Sequence, residues 1–259
     1  MKNKITIGLA FMALLFVSVS CSEDYIIGGE VNETNQLDMN TFDLLKTMEE
    51  TKNVAVLFEK AGMKDLVNGD VTIIAPNQWS INRYLRRKHN QMLRNNPSAT
   101  APTMDDISAE ELQKMGMYVL PGKFWRETIP AEGINLVAHD GTEVRLTLDR
   151  TNVDPGAAWD GSGVPGSGYQ YSNFMQQVPY MVKVHFKRGQ KWEMTPDERN
   201  RLTGYYDNPE CDHVYRMYVS DILTKNGVVH VLYSGDYTYT DHYYYHSLFF
   251  FGLRTDDKL

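Results

Sequence analysis

The chain has 259 residues, 26 basic against 33 acidic, a net charge of −7, 12% aromatic residues, sixteen tyrosines and two cysteines. That balance argues against nucleic acid and against direct docking on an anionic membrane, and the aromatic content belongs to a folded chain rather than a disordered one. The length is ample for a buried core, and two cysteines make no disulfide framework.

Lys2 and Lys4 precede an apolar run, Ile5 to Val19, too short to span a bilayer comfortably, so residues 1–20 read as a signal peptide. Ser18-Val19-Ser20-Cys21 resembles the lipobox of bacterial lipoproteins, with Ser18 in place of the usual Leu. Ser22-Glu23-Asp24 resembles the surface-export signal of Bacteroidetes lipoproteins. The resemblance implies a lipid on Cys21 and an outer-membrane protein facing the cell exterior. The other reading is an ordinary cleaved signal peptide followed by a chance cysteine. Cleavage takes the basic count from 26 to 24 against 33 acidic residues, a net charge near −9. With Cys21 lipidated, Cys211 has no partner and reads as a packed thiol rather than a nucleophile. Residues 21–36 read as a tether, loosened by Gly28-Gly29.

Asn40 or Thr41 is placed to cap a first helix that turns Phe42, Leu45 and Met48 inward. Asn53 opens a second, with Val54, Leu57, Phe58 and Ala61 on one stripe and Gly62 as its stop. Val71 to Ala75 is a short buried strand ended by Pro76. Ala61-Gly62-Met63, Asp65-Leu66 and Thr72-x-Ile74-Ala75-Pro76-Asn77 together resemble the first box of fasciclin domains. There an Ala-Gly-Leu leads into Thr-Val-Phe-Ala-Pro-Thr-Asp, and Trp79 stands near the usual Ala-Phe. Ile81 to Arg94 reads as a helix with Ile81, Tyr84, Leu85 and Met92 on one side. Arg83, Arg86, Arg87 and Arg94 crowd elsewhere and read as a solvated face rather than a nucleic-acid or headgroup patch. Ser108-x-x-Glu111 is a capping box opening a short helix.

Met117 to Phe124 resembles the Tyr-His-Val-Leu-Pro-Gly-Lys-Tyr element of the same family, with Tyr118 where the family usually carries histidine. Integrin-type recognition that rests on that histidine in some animal members is therefore not implied. Leu136 to His139, Asp140-Gly141 and Thr142 to Leu148 read as a hairpin with a two-residue turn. A fasciclin domain would then run almost directly to its last hairpin. Here residues 150–212 intervene: a Gly-rich stretch with Trp159, an alternating strand from Gln177 to Arg188, and a helix start at Thr195-Pro196-Asp197-Glu198.

Asn226-Gly227 is the strongest hairpin signal in the chain and predicts a type I′ turn with positive φ at both residues. Val214 to Leu223 enters it and Val228 to Tyr233 leaves it. Asp221-Ile222, then Asn226-Gly227-Val228-x-His230-Val231-Leu232, resembles the C-terminal fasciclin box. His230, a histidine among valines, reads as structural, with Asp221 on the paired strand as its nearest candidate partner. The tail, 236–259, is rich in tyrosine and phenylalanine.

Gly161-x-Gly163-x-x-Gly166 matches a dinucleotide fingerprint by letter only: no strand precedes it, Pro165 lies inside it and no helix follows. His242-x-x-x-His246 beside Asp241 is weighed as a metal pair against ordinary surface histidines, and the aromatic surroundings favour the latter. No cofactor and no metal are assigned. The remaining functional signal is aromatic. Sugar rings present apolar C–H faces to Tyr and Trp, which points to Trp159, Tyr169 and Tyr171 in the insert and Tyr243 and Tyr244 in the tail. Against this stands the reading in which these rings only cover the sheet and close its edge. Insert and tail leave strands expected to be neighbours and are expected to form one surface.

The expected fold is α+β, a fasciclin-like β-sandwich or wedge over 37–235 with helices packed at one end and a long insert before the last hairpin. The expected function is non-catalytic: a surface adhesion or recognition lipoprotein that binds glycan or assists a polysaccharide-uptake system. The alternatives are an assembly subunit that contacts an outer-membrane protein and, from another class, a hydrolase with an unrecognised site.

Overall fold

The computed structural model describes residues 36–150, 180–192, 212–234 and 246–251. Helix α1 (Thr41–Thr47) buries Phe42, Leu44 and Leu45, and α2 (Lys52–Lys60) buries Val54, Ala55, Leu57 and Phe58. Each of the Val, Leu and Phe side chains, fully removed from water, contributes about 1.5–3 kcal/mol. Gly62, just past α2, takes φ +72, the left-handed conformation that ends a helix. After the short α3 (Lys64–Val67) comes β1 (Val71–Ala75), buried at all five positions. Asn77 then caps α4 (Gln78–Asn95), its side chain accepting from the Ser80 amide. Ser108 and Glu111 form the expected capping box of α5 (Ala109–Gln113).

Among the described residues there are seven strands: β1, β2 (Val119–Pro121), β3 (Ile134–Val137), β4 (Glu143–Arg150), β5 (Tyr180–Phe186), β6 (His213–Leu223) and β7 (Gly227–Leu232). They form one sheet in the order β2-β1-β7-β6-β5-β4-β3. Among these strands β1 and β7 are the pair that runs parallel, Val71 opposite Gly227 and Ala75 opposite Val231. Both are buried along their whole length, as a parallel pair covered on two faces must be. The sheet curls until its edges meet: the His139 amide beyond β3 donates to the Val119 carbonyl of β2 at 2.9 Å. The result is a nearly barrel-like wedge with α1 packed on β7 and α3 on β1. This is the α+β architecture that the sequence resemblance implies.

Three turns and caps differ from expectation. First, neither Asn226 nor Gly227 has positive φ, so the last hairpin is not a type I′ turn. Thr224 closes it instead, its amide donating to the Gly227 carbonyl at 2.9 Å and its Oγ1 accepting from the Gly227 amide at 2.9 Å. Glycine is required there for space. A Cβ on Gly227 would lie 2.7 Å from the Val71 carbonyl oxygen and 2.8 Å from Thr41 Oγ1. Second, the β3–β4 turn is longer than two residues. The Ala138 amide donates to the Thr142 carbonyl at 2.8 Å, and only Gly141 takes positive φ, because His139 is drawn across to Val119. Third, neither Asn40 nor Thr41 caps α1 with its side chain. Asn226 Oδ1 accepts from the Thr41 amide at 2.9 Å and Asn68 Oδ1 from the Phe42 amide at 3.0 Å. The helix is thus capped from two other elements, which ties α1 to the hairpin.

Strand β5 divides the insert. Its alternation was expected, and Val182, Val184 and Phe186 are buried. Arg150 pairs with Tyr180 where β4 ends and β5 begins, and Phe186 pairs with His213 where β5 ends and β6 begins. Residues 151–179 and 193–211 therefore leave from opposite ends of β5. Because β6 is antiparallel to both β5 and β7, the chain leaves β7 in the direction in which it leaves β5. The end of β4 and the end of β7, from which the stretches with Trp159, Tyr169 and Tyr171 and with Tyr243 and Tyr244 continue in sequence, therefore lie at opposite ends of the sheet.

Candidate functional site

Two built sites emerge from the described residues. The first surrounds His230 on β7, fully buried among valines. A bulge between Val219 and Ile222 lets Asp221 adopt φ 62, and its backbone N–H turns inward to donate to His230 Nδ1 at 3.2 Å. Nδ1 is thereby an acceptor, so Nε2 carries the proton and donates to the Phe124 carbonyl at 2.8 Å. Burial pushes the imidazole below its ordinary value, although the Phe124 carbonyl and the Asp221 carboxylate pull the other way. That carboxylate is engaged elsewhere: Oδ1 accepts from the Arg126 amide at 2.7 Å, and Oδ2 lies 3.8 Å from Arg126 Nε. The pair Asp221 and His230 holds the stretch after β2 against the last hairpin. Asn226 and Gly227 fix the hairpin to α1 and β1. All four make their contacts within the frame of the sheet and α1.

The second site is the seat of the segment 246–251, a strap whose core is a single turn at Leu248–Phe250. Arg83 and Arg87, on α4, are only 4% and 8% exposed, so they are not the solvated face that the sequence suggested. One turn apart, they reach the same ligand: Arg83 donates to the His246 carbonyl at 3.1 Å and to Ser234 Oγ at 2.8 Å, and Arg87 donates to the Phe251 carbonyl at 3.3 Å. Ser234 Oγ donates to the same His246 carbonyl at 3.1 Å, and Asn77 Nδ2 donates to the Ser234 carbonyl at 2.7 Å. The strap and the end of β7 are thus gathered on the first turns of α4.

Tyr118 forms the floor. It is fully buried, its hydroxyl accepts from the Phe249 amide at 2.9 Å, and it shares a 3.0 Å hydrogen bond with His246 Nε2. Burial raises this phenol well above its ordinary value, so it stays protonated. His246 is also fully buried, ringed by Tyr118, Tyr215 and Phe250 at centroid distances of 5.1–5.5 Å. Its Nδ1 has no hydrogen-bond partner among the described residues. Burial, then the neighbouring His213, Arg83 and Arg87, hold its proton affinity well below the ordinary histidine value. His246 is not the surface histidine expected; its companion His242 lies outside the described residues.

Tyr84 covers the other flank, edge-on to Phe249 and Phe251. Its hydroxyl donates to Glu111 Oε1 at 2.9 Å, and Lys88 Nζ binds the same carboxylate at 2.6 Å. Burial opposes ionisation of Glu111, but Lys88 and the Ser108 amide outweigh it and hold the carboxyl at about 2. Burial and Glu111 both push the Tyr84 phenol up.

Cys21, Trp159, Tyr169, Tyr171, Tyr243, Tyr244 and Cys211 lie outside the described residues. Among the described residues no group of three or more His, Cys, Asp or Glu is placed to hold a metal, and no helix is long and apolar enough to cross a membrane. Sequence reasoning missed the strap seat. The available signal was Arg83 and Arg87 on one helix face four residues apart, beside a tail of consecutive phenylalanines.

No family model matches the chain, and no curated protein matches it. Among solved structures it is similar to a FAS1 domain pair from the insect cell adhesion molecule fasciclin I, with a TM-score of 0.32 and 11% sequence identity. The match covers 74% of this chain, which spans 42% of that one.

Proposed function

We propose that the chain is a non-catalytic adhesion or recognition module of the fasciclin kind, held on the outer membrane by a lipid on Cys21. In this reading Trp159, Tyr169 and Tyr171 stack on a glycan, and Tyr243 and Tyr244 make a second contact. The observation that carries it is how the ends of these stretches are fixed. Arg150 pairs with Tyr180 at one connection, and Ser234 and His246 share Arg83 at the other. Ring-bearing connections on a rigid sheet are how recognition loops are commonly presented. The fasciclin-type residues Asp221, Asn226, Gly227 and His230 all brace the frame, which leaves binding to the connections. The test is a glycan screen on the chain from Glu23 onward, repeated with Trp159→Ala. Binding that Trp159→Ala abolishes supports the reading; a glycan bound equally well by both moves the site elsewhere.

A second reading, contact with an outer-membrane protein of a polysaccharide-uptake system, is favoured by one observation. Strands β5 and β7 are both antiparallel to β6, so both end at the same end of the sheet, where a partner would meet two connections rather than one. Co-purification of a membrane partner that ignores Trp159→Ala would select this reading.

A further inference from the structure

We propose that the strap 246–251 is an acid-released latch: a proton on His246 ejects it from its seat while the sheet stays folded. The inference is independent of the ligand proposed above. It starts from how the strap is held. The polar contacts seen at its two ends and its middle come from side chains: Arg83 on the His246 carbonyl, Tyr118 on the Phe249 amide, Arg87 on the Phe251 carbonyl. No strand ladder is among them, so the strap can leave without unzipping the sheet. It is also under tension. Phe249 and Phe250 both take positive φ, 56 and 58, a conformation costly for side-chain-bearing residues that only close surroundings sustain.

The groups that face His246 decide what a proton does. From the turn before β2 comes the Tyr118 hydroxyl on Nε2; from α4 come the guanidinium groups of Arg83 and Arg87; from β6 come His213 and Tyr215; from the end of β7 comes Ser234. Among the described residues none of the groups facing His246 is a carboxylate. Neutral His246 needs only one of its nitrogens to be a donor. The imidazolium has two N–H donors, one of which, at Nδ1, points where no acceptor lies among the described residues. A third cation would then be buried beside two arginines and inside three aromatic rings. Its release to water is the inexpensive outcome, since a buried charge without a partner is not tolerated. When His246 leaves, the Arg83 and Tyr118 contacts go with it, and Phe249 and Phe250 uncover Tyr84, Tyr118, Phe186 and Tyr215.

Hydrogen–deuterium exchange on the full chain tests this between about pH 7.5 and about pH 5, the range over which an ordinary histidine titrates. After correction for the intrinsic pH dependence of exchange, opening at Phe249–Phe251 should rise by about tenfold per pH unit below the ordinary histidine value. The amides of Val228–Val231 in β7 should exchange more slowly than the strap at every pH. His246→Gln, which cannot be charged, should flatten the strap's response. Tyr118→Phe, which removes the hydroxyl from both His246 and Phe249, should open the strap at neutral pH already. Equal strap protection at both ends of the range would overturn the proposal. So would loss of strap and β7 protection together, a His246→Gln response that tracks the parent, or a Tyr118→Phe strap as protected as the parent's.

Discussion

The backbone N–H of Asp221 donates to Nδ1 of His230, and this bond decides which ring nitrogen carries the histidine's proton. It makes His230 a one-way bridge, accepting from β6 and donating to the Phe124 carbonyl beyond β2. His230 itself is fully buried between the two partners. His230→Ala leaves an amide and a carbonyl unpaired and a cavity beside them. The loss should be about 2–5 kcal/mol in urea denaturation. The pH dependence has a definite sign. The folded-state proton affinity is depressed below the ordinary 6.5, so the unfolded chain takes up the proton first. The contribution of His230 is full above that value and declines as pH falls below it, by at most about 1.4 kcal/mol per unit. His230→Ala should therefore show a shallower decline than the parent between pH 6.5 and acid. An equal slope would mean that the imidazole is already charged in the folded protein.

Gly227 and Gly62 separate two reasons for glycine. Gly62 has φ +72 with open space where a Cβ would go, so Gly62→Ala costs only the backbone conformation, about 1 kcal/mol. Gly227 has ordinary φ but a Cβ there would press on the Val71 carbonyl, inside the parallel β1–β7 pair. Gly227→Ala must push two buried strands apart and should cost more, about 2–3 kcal/mol. Equal urea midpoints for the two variants would refute this assignment.

That contrast also marks what was legible in the sequence. The stripe of Val54, Leu57 and Phe58, the apolar run Val71–Ala75 and the hairpin around Asn226 are local patterns, and each appears where its pattern places it. The reason for Gly227 was not local, because it lies in a strand 156 positions earlier, at Val71. Arg83 and Arg87 read as solvated because nothing near them in sequence covers them; their partners lie 163 and 164 positions away. Tyr118 could be placed within the element Met117 to Phe124, but not as the floor beneath the strap.

Glu111 links α5, Lys88 and Tyr84 in one partly buried cluster. Its carboxyl is held down at about 2 against an ordinary 4.5. The folded chain thus stays ionised where the unfolded chain protonates. The stabilisation is complete above pH 4.5 and is lost as pH falls toward 2. Glu111→Gln should lower the thermal midpoint at neutral pH and flatten its acid decline across that window. Solvent screening keeps the effect small, about 1 kcal/mol. A variant that melts in parallel with the parent at every pH would show that the ion pair carries no stability.

Cys21→Ser tests the anchor apart from the fold. The apolar run before Ser18-Val19-Ser20-Cys21 motivates it. One acyl chain binds a membrane only marginally, so firm attachment requires more than one chain on this residue. The variant should move from the membrane fraction to the soluble fraction with an unchanged melting curve. Fractionation with membranes as in the parent would end the lipoprotein reading.

The last prediction follows from the directions in which the chain leaves the sheet. Strand β4 ends at the Arg150–Tyr180 pair, whereas β7 ends at Leu232, at the opposite end of the sheet. If both carry ligand contacts, they act from separate places. Trp159→Ala and the double change Tyr243→Ala, Tyr244→Ala should then weaken binding independently. The combined variant should lose the sum of the two effects to within about 0.5 kcal/mol, as for sites that share no partner. Replacing Asp154–Gly168 by a short Gly-Ser linker should abolish the first contact only. It should leave the melting curve intact, because the connection is closed by strand pairing on either side and loop length costs little. A strongly non-additive loss would mean that insert and tail converge on one surface, the arrangement first expected from their neighbouring strands.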